Sequence, residues 1–319
     1  MPQMDLNCYV DKDAGMTYNR VNPISSMFFS VFIIDVTINR QRKERGMDKK
    51  PRKTEKRQLE IVRQLRPIDD CFFEVMMEDP DACEELLQVV LENPLLRIKK
   101  ETVSGQKSIR IIGKRSIRVD AYAEGNEDTV FNIEIQRADN ENHVKRVRYN
   151  ASVITVNRSE PGDLFEQVQE LFVIYIADFD VLGNGRTISH AEMTCVETGV
   201  TLNDGLHEIF VTTIGKDNSK ITRLMEEYKN PDMNNPEFPK QSKRVQEMKH
   251  DPEEVAIVCT LVEDYAKERE REGKIQEAVE SAVEYNRPKE ETIARLVNKF
   301  SLSEEKAQEY YDMFAKWLV

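Results

Sequence analysis

The chain has 319 residues and a formal net charge of -12, with 39% hydrophobic and 33% charged residues. This composition is typical of a globular protein with a well-hydrated surface, and it excludes a membrane protein or a disordered chain. The length predicts a main domain of about 150 to 200 residues with additional segments.

The cysteines, histidines and apolar stretches exclude several further classes of protein. Five cysteines and four histidines are scattered without a C-x-x-C or H-E-x-x-H motif, which predicts neither a disulfide framework nor a zinc site. The apolar stretch 27–34 is much shorter than the ~20 residues that cross a bilayer, and acidic rather than basic residues precede it. We therefore expect a cytoplasmic protein with no membrane association and no export.

Charge is distributed unevenly along the chain. The negative total argues against broad, nonspecific binding of nucleic acid, which depends on lysine and arginine. Between residues 97 and 118, however, eight residues are basic and one is acidic, whereas residues 251–319 hold seventeen acidic and ten basic residues. The basic run is typical either of a solvated strand face or of a surface that meets a polyanion.

The N-terminal third is predicted to contain a leader and two short helices. Residues 1–46 show no clear periodicity and are interpreted as a flexible or mis-assigned leader, with Met47 as an alternative start. Apolar positions at 72–76 and 86–91 predict two helices, which Pro80 separates and Asn93-Pro94 ends.

The segment that follows alternates between strand and helix patterns. From about residue 97 the hydrophobic period changes to two, which predicts several short strands. A helix is predicted over 143–156, with a stripe against the sheet formed by Val144, Val147, Ala151 and Ile154. The nearly continuous apolar run 171–177 predicts the central strand, and 191–197 and 208–213 predict further strands. Together they predict a three-layer α/β core with a mixed central sheet flanked by helices.

The C-terminal part divides into two predicted segments. Residues 227–250 contain three prolines among polar residues, which predicts a linker or irregular segment between a main domain at 47–226 and the rest of the chain. Residues 251–319 are interpreted as an acidic helical appendage, whose last helix begins near a capping box at 301–304.

The segment 118–136 predicts a β-hairpin with its turn centred on Glu127. Strand alternation puts Arg118, Asp120 and Tyr122 on one face and residues 119, 121 and 123 on the other. In this register Asp120 lies opposite Glu134, with Cβ atoms roughly 5 Å apart. Two carboxylates at that distance suit a hard cation such as Mg²⁺ or Mn²⁺. The residues alone equally fit a hairpin with one wet face, on which both acids are ordinary solvated side chains.

Several motifs in the same order resemble one nuclease family. They are a strand aspartate at 120, the Glu-x-Gln motif at 134–136, a basic helix around Lys145-Arg-x-Arg-Tyr149, the opening at 65–70, the strand ending at Asp178, and the segments 197–199 and 204–205. The pattern, which covers about 63–249, resembles the PD-(D/E)XK nuclease family transposases and their Rpn-like recombination-promoting nuclease group. The resemblance implies a restriction-endonuclease-like fold and metal-dependent DNA cleavage linked to mobile elements or recombination in bacteria.

The resemblance also implies roles for individual residues. Asp120 matches the strand aspartate and Glu134 the acid of the Glu-x-Lys motif, while Gln136 stands where the family motif has lysine. A glutamine supplies hydrogen bonds but no positive charge. Lys145 is the first candidate for that charge.

Further candidates surround these positions. Arg118, Arg146 and Arg148 are predicted to contact DNA. The first helix of this fold often adds an acid to the metal site. Glu74 and Asp70 are the candidates for that role, and Glu74 is favoured because Asp70 has capping the helix as its alternative role.

Three functions follow from these predictions. The first is a DNA endonuclease with Mg²⁺ or Mn²⁺ as cofactor. The second is a noncatalytic DNA-binding or protein-interaction module derived from a mobile-element nuclease, and the third is a scaffold whose hairpin has no chemistry. DNA is the expected partner, no nucleotide cofactor is expected because no phosphate loop is present, and homodimerisation is left open.

Overall fold

The computed structural model describes residues 53–109, 117–126, 128–139 and 142–315. The predicted leader 1–46, Met47 and the predicted turn centre Glu127 lie outside the described residues. Part of the basic run, residues 110–116, lies outside them as well.

A mixed five-stranded sheet with the order β3-β4-β5-β7-β6 forms the centre of the fold. Parallel pairing joins β4 to β5 and β5 to β7, whereas β3 and β6 run antiparallel at the two edges. A separate two-stranded antiparallel sheet joins β1 and β2. The strands are β1 Lys107–Ile109, β2 Ile117–Val119, β3 Ala121–Glu124, β4 Val130–Gln136, β5 Leu171–Ala177, β6 Ile188–Ala191 and β7 Leu206–Thr212.

The predicted central strand is confirmed as β5. Ile174 and Ile176 point into one hydrophobic core, and Val173 and Tyr175 point into a second core on the opposite face. A strand that is covered on both faces and paired in parallel on both sides must be apolar throughout. The central position of β5 therefore explains its continuous apolar sequence.

Helices cover both faces of the sheet, which confirms the predicted three-layer core. One face carries α1, α2, α3, α5, α6 and the start of α7, and the other carries α4 with β1 and β2. The helices are α1 Lys53–Gln64, α2 Asp70–Met77, α3 Pro80–Val90, α4 His143–Arg158, α5 Lys220–Tyr228, α6 Pro239–His250, α7 Pro252–Glu284, α8 Lys289–Phe300 and α9 Glu304–Ala315.

Helix α4 follows the predicted stripe with one exception. Val147, Ala151 and Ile154 are buried against the sheet, but Val144 is 45% exposed. His143 and Asn150 are buried instead. His143 contacts Tyr175 Oη through Nδ1 at 2.8 Å, so the first turn of the helix is held to the sheet by a polar contact that apolar periodicity does not register.

Two predictions about irregular and extended segments are wrong. Strand β6 ends at Ala191, which pairs with Glu208 in β7, and the rest of the predicted strand 191–197 leaves the sheet and turns back on itself, with an isolated bridge between Thr194 and Thr201. The predicted linker 227–250 contains α6, because Pro239 occupies the first helical turn, where its missing N–H costs nothing. Val245 is fully buried in the main core.

The C-terminal segment is helical as predicted, but only its far end is an appendage. Helix α7 is 33 residues long, and its Val258 is buried in the main core. Its second half packs on α8 and α9 around a small separate core formed by Ile275, Val279, Ile293, Leu296 and Ala307. Among the described residues, no helix combines the length and the apolar character needed to cross a membrane.

Candidate active site

The hairpin has the predicted register but is interrupted at Asp120. Tyr122 pairs with Asn132 and Ala121 with Ile133, as the sequence predicted. Residue 120 is a bend between β2 and β3, because β2 leaves the main sheet to pair with β1. As a result Val119 and Ala121 lie in different cores, and the prediction that they share a face is wrong.

The bend directs Asp120 toward the neighbouring strand. Its Oδ2 accepts a hydrogen bond from the backbone N–H of Ile135 at 3.0 Å. The side chain is half-buried and borders an open cleft. A carboxylate held by main chain on one oxygen and open to a cleft on the other side is well placed to bind a ligand.

Glu134 lies on β4 beneath α4 and is completely buried, with 0% exposure. Asn132 Nδ2 donates to its Oε1 at 3.2 Å, and Arg146 Nη2 lies 3.5 Å from its Oε2. Tyr122 and Asn132 are buried on the same hairpin. The interpretation of this face as wet and solvated is therefore wrong.

Asp120 and Glu134 are both harder to ionise than ordinary carboxyl groups. Burial raises the pKa of Asp120 to about 6, although the hydrogen bond from Ile135 opposes the shift. Burial also raises the pKa of Glu134 to about 8, and the nearby charge of Asp120 adds to this shift while Arg146 opposes it. Strongly shifted acids in or beside a cleft are typical of functional sites, where a bound cation offsets their repulsion.

The donor set fits a hard divalent cation. Within the described part of the chain, Glu134 Oε2 and Asp70 Oδ1 are buried and accept no hydrogen bond. No three His, Cys, Asp or Glu side chains of the described residues are grouped closely enough to hold an ion by themselves. Mg²⁺ is commonly held by one or two carboxylates together with water and substrate phosphate. Asp120 and Glu134 therefore fit such an ion as a partial, substrate-completed site.

The cleft beside these acids has a volume of about 710 Å³. It brings together most of the residues that the sequence predicted. Its walls include Asp70, Arg118, Asp120, Gln136, Lys145, Arg146 and Arg148. Four basic side chains and two carboxylates thus share one open space.

Arg146, rather than Lys145, contacts the Glu-x-Gln motif. Its Nη1 donates to Gln136 Oε1 at 3.3 Å, and its Nη2 lies near Glu134. Lys145 is exposed on the cleft wall. The guanidinium of Arg146 therefore brings positive charge to the position at which Gln136 lacks it.

Residues 72–258 match the sequence profile of the PD-(D/E)XK nuclease family transposases. The chain belongs to this family. The match confirms the predicted membership, and the mixed five-stranded sheet flanked by helices is consistent with the restriction-endonuclease-like fold. No curated protein and no solved structure matches the chain.

Asp70 and Glu74, the two acids of α2 in this PD-(D/E)XK domain, lie near the site in different surroundings. Asp69 occupies the N-cap position of α2, so the alternative role of Asp70 as the helix cap is wrong. Asp70 lies on the cleft wall instead. Glu74 accepts hydrogen bonds from Tyr265 Oη at 2.7 Å and Gln106 Nε2 at 3.2 Å. Burial raises its pKa to about 7, and the charge of Asp120 contributes to the shift.

Three residues of α7, beyond the segment matched to the nuclease family, contact charged residues of the site, namely Asp70, Glu74 and Arg118. Tyr265 Oη accepts from Arg118 Nη2 at 3.2 Å. Glu268 lies 3.7 Å from Arg118, and Arg269 lies 3.6 Å from Asp70. The sequence interpretation missed all three. Their spacing of three and four residues puts them on one helix face, and this spacing is the only feature of the sequence that indicates a shared role.

Proposed function

We propose that this PD-(D/E)XK family member is a divalent-metal-dependent DNA endonuclease that hydrolyses phosphodiester bonds. The observation that carries the proposal is the open cleft lined by Asp120 and three basic residues of α4, one of which, Arg146, also contacts the buried Glu134. Family membership supports a nuclease-like function. We further propose that cleavage serves mobile-element or recombination events in the cytoplasm.

Asp120 and Glu134 would hold the ion, with an additional acid from α2. When bound, Mg²⁺ or Mn²⁺ supplies charge stabilisation to the phosphoryl group and acidifies a water molecule. Glu74, as predicted, and Asp70 are both candidates for the additional acid. Asp70 has the open position on the cleft wall, while Glu74 is oriented by two hydrogen bonds.

The basic residues would divide the remaining work. Arg146 is fixed by Gln136 and Glu134, so it would stabilise negative charge at the reacting phosphate. Lys145, Arg148 and Arg118 border the cleft further out. They would bind the DNA backbone, where contacts position the substrate without reading its sequence.

Cleavage of supercoiled plasmid in Mg²⁺ or Mn²⁺ tests this function. We expect Asp120→Asn and Glu134→Gln to abolish cutting, since each removes a metal ligand while keeping the shape of the side chain. Glu170→Gln is the matched control, because Glu170 is a 57% exposed acid just before β5, at the end of that strand away from the Glu134 pairing partner Tyr175. Equal cutting by all four proteins would remove the proposed site.

A noncatalytic DNA-binding module is the second candidate. The raised pKa of Glu134 favours it, because that acid is largely protonated at neutral pH before a cation binds. DNA binding by the parent protein, together with no cutting in any metal, would identify this function.

A further inference from the structure

Tyr265 connects two predicted site residues that come from different elements. Its hydroxyl donates to Glu74 on α2 and accepts from Arg118, which lies on β2. Its ring also lies under the Arg118 guanidinium, 5.2 Å from ring centroid to Cζ. The residue itself lies on α7, 191 positions from Glu74 and 147 from Arg118 in the sequence.

The hydrogen bonds to Glu74 are one-sided. Tyr265 and Gln106 both donate to Oε2 of Glu74. Among the described residues, none donates a hydrogen bond to Oε1. A phenol carries its proton at neutral pH, so the Tyr265 hydroxyl acts as the donor to Glu74. One carboxylate oxygen is therefore fixed while the other is left for a further ligand.

We propose that Tyr265 is a positioning residue of the nuclease site, which orients Glu74 toward the bound cation and Arg118 toward the DNA backbone. This role rests on the proposed function. Residues that hydrogen-bond to metal-ligating side chains fix the orientation of those ligands, and their loss typically lowers metal affinity or activity about 10- to 100-fold. Tyr265 has this relation to Glu74, and it acts from outside the segment that matches the family.

A neighbouring contact of α7 also supports a positioning role for this part of the helix. Glu268, one turn further along α7, lies near Nη1 of Arg118, whereas Tyr265 accepts from Nη2 of the same guanidinium. The pair is largely exposed, so it contributes little to stability. The pair nevertheless brings a second residue of α7 to the guanidinium that Tyr265 contacts. Tyr265 is thus the central contact of a short helix segment that meets the site.

The test compares Tyr265→Phe with Tyr285→Phe in the full chain. Both changes remove one hydroxyl and keep the ring, and Tyr285 is 67% exposed at the end of α7. The measurements are Mn²⁺ affinity by titration calorimetry, plasmid cleavage and DNA affinity in Ca²⁺. We expect Tyr265→Phe to weaken Mn²⁺ binding about tenfold or more, and Tyr285→Phe to leave it unchanged.

A double-mutant cycle with Glu74→Gln separates positioning from general packing. If Tyr265 acts through Glu74, Tyr265→Phe causes no further loss of Mn²⁺ affinity in the Glu74→Gln background. An equal loss in both backgrounds, or no loss in either, would overturn the proposal. Failure of the nuclease function itself gives a different result, since the parent protein and Asp120→Asn would then bind Mn²⁺ alike.

Discussion

Replacing Glu134 with glutamine should stabilise the metal-free protein. Burial raises the pKa of this carboxyl from 4.5 to about 8. Below about pH 4.5 the group is protonated in both folded and unfolded chains and has no effect on folding. As the pH rises from there to about 8, the unfolded chain ionises while the folded protein retains the proton, so the free energy of unfolding falls.

The size of the effect follows from the two pKa values. The shift costs ~1 kcal/mol at pH 5 and ~3 kcal/mol at pH 7. Glu134→Gln has no ionisation and removes this cost. It keeps the shape of the side chain, and Arg146 keeps its contact with Gln136. The gain in the free energy of unfolding should therefore grow by ~2 kcal/mol between these two pH values.

Urea unfolding at pH 5 and pH 7 in EDTA measures the difference. The exposed Glu170→Gln serves as control, and its effect should be small and nearly independent of pH. Saturating Mn²⁺ should stabilise the parent protein and not the variant, because binding to the folded state alone shifts stability. A gain that does not increase with pH, or a variant less stable than the parent at pH 7, would refute the assignment of Glu134 as a buried, electrostatically strained acid.

Two further predictions concern the basic helix and the glycines. Arg146→Gln should lower the plasmid cleavage rate about 100-fold or more with little change in DNA affinity, whereas Arg148→Gln should weaken DNA binding and reduce its salt dependence by about one counterion. Gel-shift titrations in Ca²⁺ at several salt concentrations and single-turnover cleavage distinguish the two; identical behaviour would contradict the division of roles. A Cβ at Gly105 would collide with the backbone carbonyl of Glu74, so Gly105→Ala should lower the melting temperature and Mn²⁺ affinity. Gly273→Ala, on open helix surface, should stabilise by about 0.5–1 kcal/mol. A melting temperature that also rises for Gly105→Ala would contradict the collision.

Features set by local periodicity could be predicted from the sequence. The central strand β5, the helix α4 and the register of the Asp120 hairpin each follow from spacing within a few residues. The burial of Glu134 did not follow, because alternation along a strand tells which residues share a face but not whether a helix covers that face.

The rest of the site depends on contacts between distant segments. The bend at Asp120 arises because β2 pairs with β1 and not with the main sheet. Asp70 and Glu74 lie four residues apart and so on the same side of α2, and their different surroundings depend on what packs at each end. For Glu74 that neighbour is Tyr265, whose position in the fold the sequence around Glu74 does not specify.

The family match and the helix α7 end at different residues. The match stops at residue 258, inside the unbroken helix α7, where Val258 is buried in the main core. A chain that ended with the matched residues would stop about two helical turns before Tyr265. It would keep the sheet, Asp120 and Glu134, while Glu74 and Arg118 would lose the Tyr265 hydroxyl that both contact. Exchange of C-terminal segments between relatives would therefore alter the site itself, although every residue of the family motif stayed in place.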